Sequence, residues 1–550
     1  DQSTQKAIIN WQEFNVGADA RVNFNQPGAD SATLNRVLSQ NPSQIFGQIV
    51  APGQVILINP NGAYFAPSAS VDVGGLIATT HELADKDFLD GNYEFKRNGA
   101  TGKIINDGEL KAKLDGYIAL MAPEVRNQGV IVAERGTVVL AAGEHIQLDF
   151  GTGNKLQGIT VTEQDLDAQI ENRHAIIAEG GLVILSARAT AELRASVIKN
   201  SGQIVASAGA NTVSQKGGRI ILEGNTVEVT EGSELIATGP KGGGEVLIGG
   251  DWQGGANEER RVFDNPDAVH EATTVTVQAN TTIDASATDD GDGGTVVVWS
   301  DVKNPDSVTT VRGEILAKGG ENGGDGGQIE TSGAQLITDG VSGSAAAPAG
   351  MAGEWLFDPT NVVIGTSGSA SANNNGTSLA ATSIAGLLED GTSVTVTTQS
   401  ADDELGNISV VSGITKSSGN SDVTLTLRAA NSIIIDQAIS NTGGSGKLNL
   451  ILDADNDATA SSGTPKRNGG GITILNAGLS TGGGDVQFGG VAENGYHGGD
   501  LFVGGGNSAV TVTTSGGSFE TKGQLIVANS SAQGFSVETN GGSITIGSSI

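Results

Sequence analysis

A short apolar run followed by a turn recurs along this chain, and this pattern limits what it can fold into. Segments 104–112 (IINDGELKA), 125–133 (VRNQGVIVA) and 197–206 (VIKNSGQIVA) share one plan, and Gly108 and Gly129 lie 21 residues apart. Runs of four to six residues that alternate between apolar and polar are typical of strands. A unit of twenty-odd residues with about three such strands is one coil of a β-solenoid, which buries its apolar face only against neighbouring coils.

Composition agrees with this interpretation. Aromatic residues make up 4% of the chain, too few for several compact cores, whereas 37% of residues are hydrophobic, too many for a disordered chain. We therefore predict an all-β fold, a right-handed parallel β-helix with an N-terminal cap and extra-helical hairpins or loops. Glycine and asparagine are expected to supply corners with positive φ. Segments 161–176 and 383–391 carry helix-like spacing and are interpreted as insertions or short helical turns.

Charge and cysteine content limit the kinds of partner and the cellular location that are expected for this chain. The formal charge of −32 argues against nucleic acid and anionic lipid as partners. No apolar run approaches the roughly 20 residues that span a bilayer, so membrane insertion is not expected. The absence of cysteine fits an exported chain that crosses a pore unfolded, or a repetitive core that needs no disulfides. The chain begins directly in patterned sequence, so we expect it to be a piece of a longer protein.

Catalytic patterns are weak, and the chain is not expected to be an enzyme. Its five histidines are scattered, and neither a nucleophile elbow nor a phosphate-binding loop occurs. No cofactor is expected, with one open case. Asp453, Asp455 and Asp457 alternate in LDADND, as oxygen ligands of Ca²⁺ can do. These carboxylates form either solvated acidic turns or a weak extracellular Ca²⁺ site.

Several linked motifs near the start resemble one family. Residues 9–17 read INWQEFNVG, Leu34–Val37 read LNRV, Asn59–Gly62 read NPNG and Val73–Thr80 read VGGLIATT. In this order they resemble the N-terminal secretion domain of the two-partner secretion exoproteins, which are similar to filamentous haemagglutinin. The element at 355–359 (WLFDP) and the glycine-rich repeats are also typical of long members.

The resemblance implies a route and a partner. A dedicated outer-membrane β-barrel transporter would recognise the N-terminal domain, and the chain would leave unfolded and fold outside. Local contacts between coils suit such stepwise folding without ATP. We predict a secretion domain over residues 1–250, β-helix continuation over 251–360, and further β-solenoid or a Ser/Thr/Asn/Gly-rich β domain over 361–550.

The candidate site for cap formation or transporter recognition contains eight residues. They are Trp11, Phe14, Asn35, Arg36, Asn59, Pro60, Asn61 and Gly62. The NPNG motif is either a type I turn, in which Pro60 fixes φ, or a direct contact with the transporter. Asn35 and Arg36 are expected to brace the cap by hydrogen bonds, and Trp11 and Phe14 to plug the end of the core.

The function implied by the resemblance is that of a large adhesin, secreted or held at the extracellular face of the outer membrane. It would bind extracellular polysaccharide, as in a biofilm matrix, or another cell surface. One alternative is capture of a host haem carrier through loops at 157–174 and 251–270. A second alternative is the carrier stalk of a cytolysin or contact-dependent inhibition toxin.

Overall fold

A computed structural model describes residues 1–162, 167–189, 196–209, 212, 214–255, 269–367, 377–399, 406–454, 470–489, 500–504, 508–527 and 534–547. The chain divides into two compact units, Asp1–Asp289 and Asp290–Ile550, called the N-terminal unit and the C-terminal unit below. The domain boundaries predicted at residues 250 and 360 remain predictions.

In the N-terminal unit, strands of successive coils pair in parallel and in register, which gives three ladders. The first ladder contains Lys6–Trp11, Ala32–Val37, Gln54–Ile58, the second halves of Ser70–Thr79 and Glu109–Met121, Thr137–Ala142, Leu182–Ala187, Arg219–Glu223 and Glu245–Ile248. The second ladder contains Arg21–Asn23, Gln48–Val50, the first halves of Ser70–Thr79 and Glu109–Met121, Val130–Ala133, Ala175–Ile177, Gln203–Val205, Glu234–Ile236 and Thr282–Asp284. The third ladder contains Ser43–Ile45, Gly62–Phe65, Lys103–Asn106, Glu124–Asn127, Ala168–Asn172, Ser196–Asn200, Thr226–Val229 and Thr274–Val277.

The core of this unit consists of columns of aliphatic side chains, one from each coil. One column in the second ladder joins Leu110, Ile131, Ile176, Ile204 and Leu235, which are partners in successive strand pairs. All five are fully buried. Each such side chain contributes about 1.5–3 kcal/mol by leaving water. The apolar residues of the alternating pattern seen in the sequence therefore face the interior.

Four asparagines form a second, polar column inside the unit. The Nδ2 atom of Asn106 donates to Oδ1 of Asn127 at 2.8 Å, Asn127 to Asn172 at 2.9 Å, and Asn172 to Asn200 at 2.7 Å. All four are fully buried, and none has a positive φ. The expectation that the asparagines of these repeats supply left-handed corners is therefore wrong for this column. They satisfy one another instead, as buried amides must.

Other elements lie outside the three ladders. Glu94–Lys96, His145–Phe150 and Leu156–Thr162 form an antiparallel sheet, in keeping with the predicted extra-helical hairpins. Helix α1 covers Asp85–Asp90, and a 3₁₀ turn covers Trp252–Gly255. For segment 161–176 the prediction of an insertion or short helical turn is correct only at residues 161–162, which belong to the antiparallel hairpin. It is wrong for Ala168–Asn172 and Ala175–Ile177, which are ladder strands. Residues 163–166 lie outside the described residues.

The C-terminal unit has the same architecture, with five ladders. The fourth ladder contains Thr295–Trp299, Gln328–Ser332, Glu354–Asp358, Ser393–Thr397, Val423–Ala429, Leu448–Ala454, Val486–Phe488, Phe519–Thr521 and Ile544–Ile546. The fifth contains Val308–Val311 and Gln335–Ile337, and the sixth contains Glu314–Leu316 and Ser342–Ser344. The seventh contains Thr377–Ala380, Val362–Gly365, Ile408–Val410, Ile433–Ile435, Gly471–Ile474, Asp500–Val503 and Leu525–Val527. The eighth contains Ile414–Lys416, Ile439–Asn441, Leu479–Ser480, Val510–Thr513 and Phe535–Glu538.

Helix α2, Ala381–Asp390, occupies the place of a strand in its coil. It contacts Ser342–Ser344 on one side and Ile414–Lys416 on the other, so it lies between the sixth and eighth ladders. Gly391 ends it with a φ of 96°. The short helical turn predicted at 383–391 is confirmed, and so is the predicted fold class, since each unit is a right-handed parallel β-helix. No helix within the described ranges is long and apolar enough to span a bilayer.

Candidate functional site

The NPNG segment forms a tight turn between a first-ladder strand and a third-ladder strand. The Gly62 N–H donates to the Asn59 carbonyl at 2.8 Å, and the Asn61 N–H donates to Asn59 Oδ1 at 3.0 Å. Gly62 has a φ of 101°, and a Cβ atom there would lie 2.4 Å from the Lys103 carbonyl oxygen. Glycine is therefore required twice, by its own backbone and by the next coil.

The polar side chains of this turn are used inside the protein. Asn59 is almost fully buried, and its Nδ2 donates to the Asn41 carbonyl at 3.0 Å and to Ser43 Oγ at 3.1 Å. The Nδ2 of Asn61 donates to the Ser39 carbonyl at 3.0 Å. The turn thus fastens the loop of residues 39–43. A role as a structural turn explains both asparagines, whereas direct contact with a transporter remains a prediction.

Asn35 joins this region to the first strand. It is fully buried in the first ladder, accepts from Trp11 Nε1 at 3.0 Å, and donates to the carbonyls of Thr33 and Ile56, both at 3.2 Å. The Trp11 ring meets Phe14 edge to face, with centroids 5.5 Å apart. Such pairs add about 0.5–1.5 kcal/mol to the burial itself. Phe14 is buried, while Trp11 stays half-buried.

Arg36 points elsewhere and holds helix α1. Its guanidinium donates to the Leu83 carbonyl at 2.9 Å and to Asp85 Oδ1 at 2.8 Å. Lys6 performs a similar task at the other end of α1, where Nζ donates to the carbonyls of Phe88 and Leu89 at 2.7 and 2.9 Å. Burial lowers the pKa of Lys6, and Asp90 partly offsets that effect. The structure therefore joins Trp11 to Phe14 and Asn35. The NPNG turn holds residues 39–43 through Asn59 and Asn61. The Arg36 side chain instead contacts helix α1.

Two structural contacts in this region, those of Lys6 and His81, were not predicted from the sequence. His81 is fully buried beside the VGGLIATT motif, and its Nε2 lies 2.8 Å from the Gly143 carbonyl. Burial lowers the pKa of His81 to about 4, so the ring is neutral at physiological pH and Nε2–H is the donor. This bond ties the extra-helical sheet to the β-helix. A single histidine that belongs to no recognisable motif gives no sequence signal for a buried hydrogen bond to a distant carbonyl.

The suggested Ca²⁺ site is only partly described. Asp453 is nearly buried and lies 3.5 Å from Arg428 Nε. Asp455 and Asp457 lie outside the described residues. Across the described ranges, no group of three or more acidic, histidine or cysteine side chains is placed to hold a metal ion. The Ca²⁺ site remains a prediction.

Comparison with known proteins gives one family match at the N-terminal end of the chain and similarity to several relatives. Residues 1–237 match the family model of the TPS secretion domain. Two curated relatives, both named heme/hemopexin-binding protein and both from Haemophilus influenzae, are 31% identical over 256 residues and 30% identical over 257 residues. These stretches cover 45% and 42% of this chain, which spans 27% of the length of either relative.

Among solved structures, the chain resembles the crystal structure of the HMW1 secretion domain from Haemophilus influenzae. The two share 28% sequence identity and a TM-score of 0.48, over 65% of this chain and 96% of that structure.

Proposed function

We propose that this chain, whose residues 1–237 match the TPS secretion domain, is a two-partner secretion exoprotein and acts as a non-enzymatic adhesin for extracellular polysaccharide or another cell surface. The matched secretion domain implies a dedicated outer-membrane transporter as partner and secretion across the outer membrane. Retention on the cell surface is part of the proposal. The match over residues 1–237 is the observation that carries export, and the ladders of the C-terminal unit support attachment.

Export fits the way in which the N-terminal unit is built. Each coil pairs with its immediate neighbours, so that folding can begin at the first coils and continue as the chain emerges. The Asn59–Gly62 turn and the Trp11–Asn35 bond set the shape of these first coils. We propose that the transporter recognises this region.

Attachment fits the repetition of outward-facing positions. In-register parallel strands present equivalent outward side chains at intervals of about 4.8 Å. A ligand with its own repeat can contact several coils at once, which raises avidity without any single strong contact. A polysaccharide is such a ligand.

A second candidate function is binding of a haem carrier, because two relatives have heme/hemopexin-binding protein as their name. The matched stretches of 256 and 257 residues are close in length to the secretion domain. The chain spans only 27% of either relative, so the likeness does not carry the ligand of the whole relative over to this chain. Segments 157–174 and 251–270, suggested above as carrier-binding loops, lie partly outside the described residues.

A binding screen separates the two. The purified chain is tested against neutral and acidic polysaccharides and against haem-loaded haemopexin, each with and without Ca²⁺. Saturable polysaccharide binding without a carrier complex is the expected result. A stable one-to-one complex with haemopexin would replace the adhesin proposal with haem capture. Loss of binding on removal of Ca²⁺ would support the Asp453 site.

A further inference from the structure

An exposed phenylalanine lies on the outer face of the seventh ladder. Phe502 is 40% exposed although it sits within a strand. A Cβ atom built on Gly471, in the strand before it, would lie 3.1 Å from Cε2 and 3.4 Å from Cδ2 of this ring. The ring therefore lies over a position that has no side chain. One edge of the ring rests on the sheet, and a large part of its surface faces solvent.

The ring belongs to a column of outward-facing residues. Ile434, Thr473, Phe502 and Ile526 are partners in successive strand pairs. Ile434 and Ile526 are 39% and 37% exposed. Neighbouring members are separated by about 4.8 Å along the ladder. Apolar and hydroxyl-bearing side chains thus mix along one line of the surface, rather than forming an uninterrupted apolar patch.

Polar side chains flank this column on both sides. On one side, Asp500 Oδ1 accepts from the Gln524 backbone N–H at 3.1 Å, and on the other, Asn476 Nδ2 donates to Asp436 Oδ1 at 2.7 Å. Asp500 and Asp436 are half-buried, while Asn476 and Gln524 are exposed. Carboxylate and amide groups next to an aromatic ring are suitable partners for sugar hydroxyls, since an ionised carboxylate accepts hydrogen bonds and an amide both accepts and donates them.

The negative charge of the chain favours an uncharged ligand on this column of side chains. The chain carries a net charge of −32, and the column is flanked by carboxylates. A second copy of the chain, a nucleic acid and a polyuronate would all be repelled. A neutral polysaccharide meets no such penalty. Its pyranose rings combine apolar C–H faces with a rim of hydroxyls, which matches the mixture on this surface.

We propose that the column Ile434–Thr473–Phe502–Ile526 is a binding track for a neutral polysaccharide. This inference rests on the proposed adhesin function. One sugar ring stacks on Phe502, and the neighbouring sugars contact Ile434 and Ile526. Hydroxyl groups of the sugars bond to the Thr473 side chain and to the flanking carboxylates and amides. Several coils act together on one polymer, as avidity requires.

Affinity electrophoresis of the full chain tests this track. Gels contain a neutral β-glucan, a neutral galactomannan, or alginate as the acidic polysaccharide. We expect Phe502→Ala to weaken retardation by the neutral polymers roughly tenfold, as loss of a well-placed aromatic contact does. Phe502→Tyr keeps the ring and should keep the affinity. Phe46→Ala is the matched control, because Phe46 is 39% exposed and lies in the N-terminal unit.

Each outcome has a distinct meaning. If Phe502→Ala binds neutral polysaccharide as the parent chain does, the track is wrong while polysaccharide attachment stands. If the parent chain binds no polysaccharide, the proposed attachment to polysaccharide is wrong, and so is the proposed binding track. Stronger retardation by alginate than by the neutral polymers would overturn the charge argument. An equal loss in Phe502→Ala and Phe46→Ala would also contradict the track.

Discussion

Replacement of Asp358 by asparagine should remove one source of the loss of stability that the C-terminal unit undergoes as pH rises from 5 to 8. Asp358 is 1% exposed, and Gln399 Nε2 donates to its Oδ2 at 2.7 Å. Its Oδ1 meets no hydrogen-bond donor among the described residues. Burial raises the pKa of Asp358 from 3.8 to about 7, and the Gln399 bond offsets only part of this effect.

The sign follows from proton linkage. Between pH 3.8 and 7 the unfolded chain has released the Asp358 proton while the folded chain still holds it, so stability falls as pH rises. One pKa unit corresponds to about 1.4 kcal/mol. The penalty is then about 1.6 kcal/mol at pH 5 and about 4 kcal/mol above pH 7. An asparagine does not titrate and escapes this change.

Urea unfolding of the parent chain and of Asp358→Asn at pH 5 and pH 8 measures the difference. Asparagine places a buried NH2 group where Asp358 Oδ1 has no partner among the described residues, which costs about 1–3 kcal/mol at either pH. The informative quantity is therefore the change between the two pH values. We expect the variant to gain about 3 kcal/mol on the parent from pH 5 to pH 8. Asp339→Asn, at an exposed position in the same unit, should gain nothing. Parallel pH profiles for the parent and Asp358→Asn would refute the argument.

Three further changes test the N-terminal unit. Asn127→Ala removes two ladder bonds and leaves buried amide groups unpaired, at a cost of about 3 kcal/mol. Hydrogen exchange in strands Glu124–Asn127 and Ala168–Asn172 should then accelerate on the order of 100-fold, while Gln169→Ala, outward on the same ladder, leaves it unchanged. Gly62→Ala should block folding of the first coils, because its Cβ would meet the Lys103 carbonyl, and co-expression with the transporter should give little secreted chain. Asn59→Ala should lower secretion and exchange protection together, since it breaks the bonds to Asn41 and Ser43. Lower secretion with full protection would instead indicate direct contact with the transporter.

The repeating fold could be predicted because its causes are local. Alternation of period two sets which residues face inward, and the Leu110–Leu235 column follows from it directly. Helix α2 was also visible as a break in that alternation at 383–391. The sequence could not predict that the side chains of Asn106 and Asn127 point inward, because an asparagine at the end of an apolar run is equally common in an exposed turn. These amides form hydrogen bonds with one another only because the coils stack in register, and the local sequence pattern does not show that register.

The cap could be predicted in part, and the limit is distance along the chain. Trp11, Asn35 and the Asn59–Gly62 turn were identified because their motifs occur in a fixed order. The targets of Lys6 and Arg36 lie 82 and 49 residues away in sequence, on and beside helix α1. Nothing in the local pattern around either cation points to a helix at 85–90. Asp358 presents the same difficulty, because its burial arises from neighbouring coils.

The two units use their polar side chains in different ways, and this difference bears on function. In the N-terminal unit, the amides of Asn35, Asn59 and Asn61 are engaged within the protein. A transporter that recognises this region would therefore contact the surface that the folded or nascent cap presents, and would depend less on hydrogen bonds to these amides. In the C-terminal unit, Phe502 and the residues that flank it face outward at regular intervals. We therefore expect export to tolerate changes at Phe502, and ligand binding to depend on it.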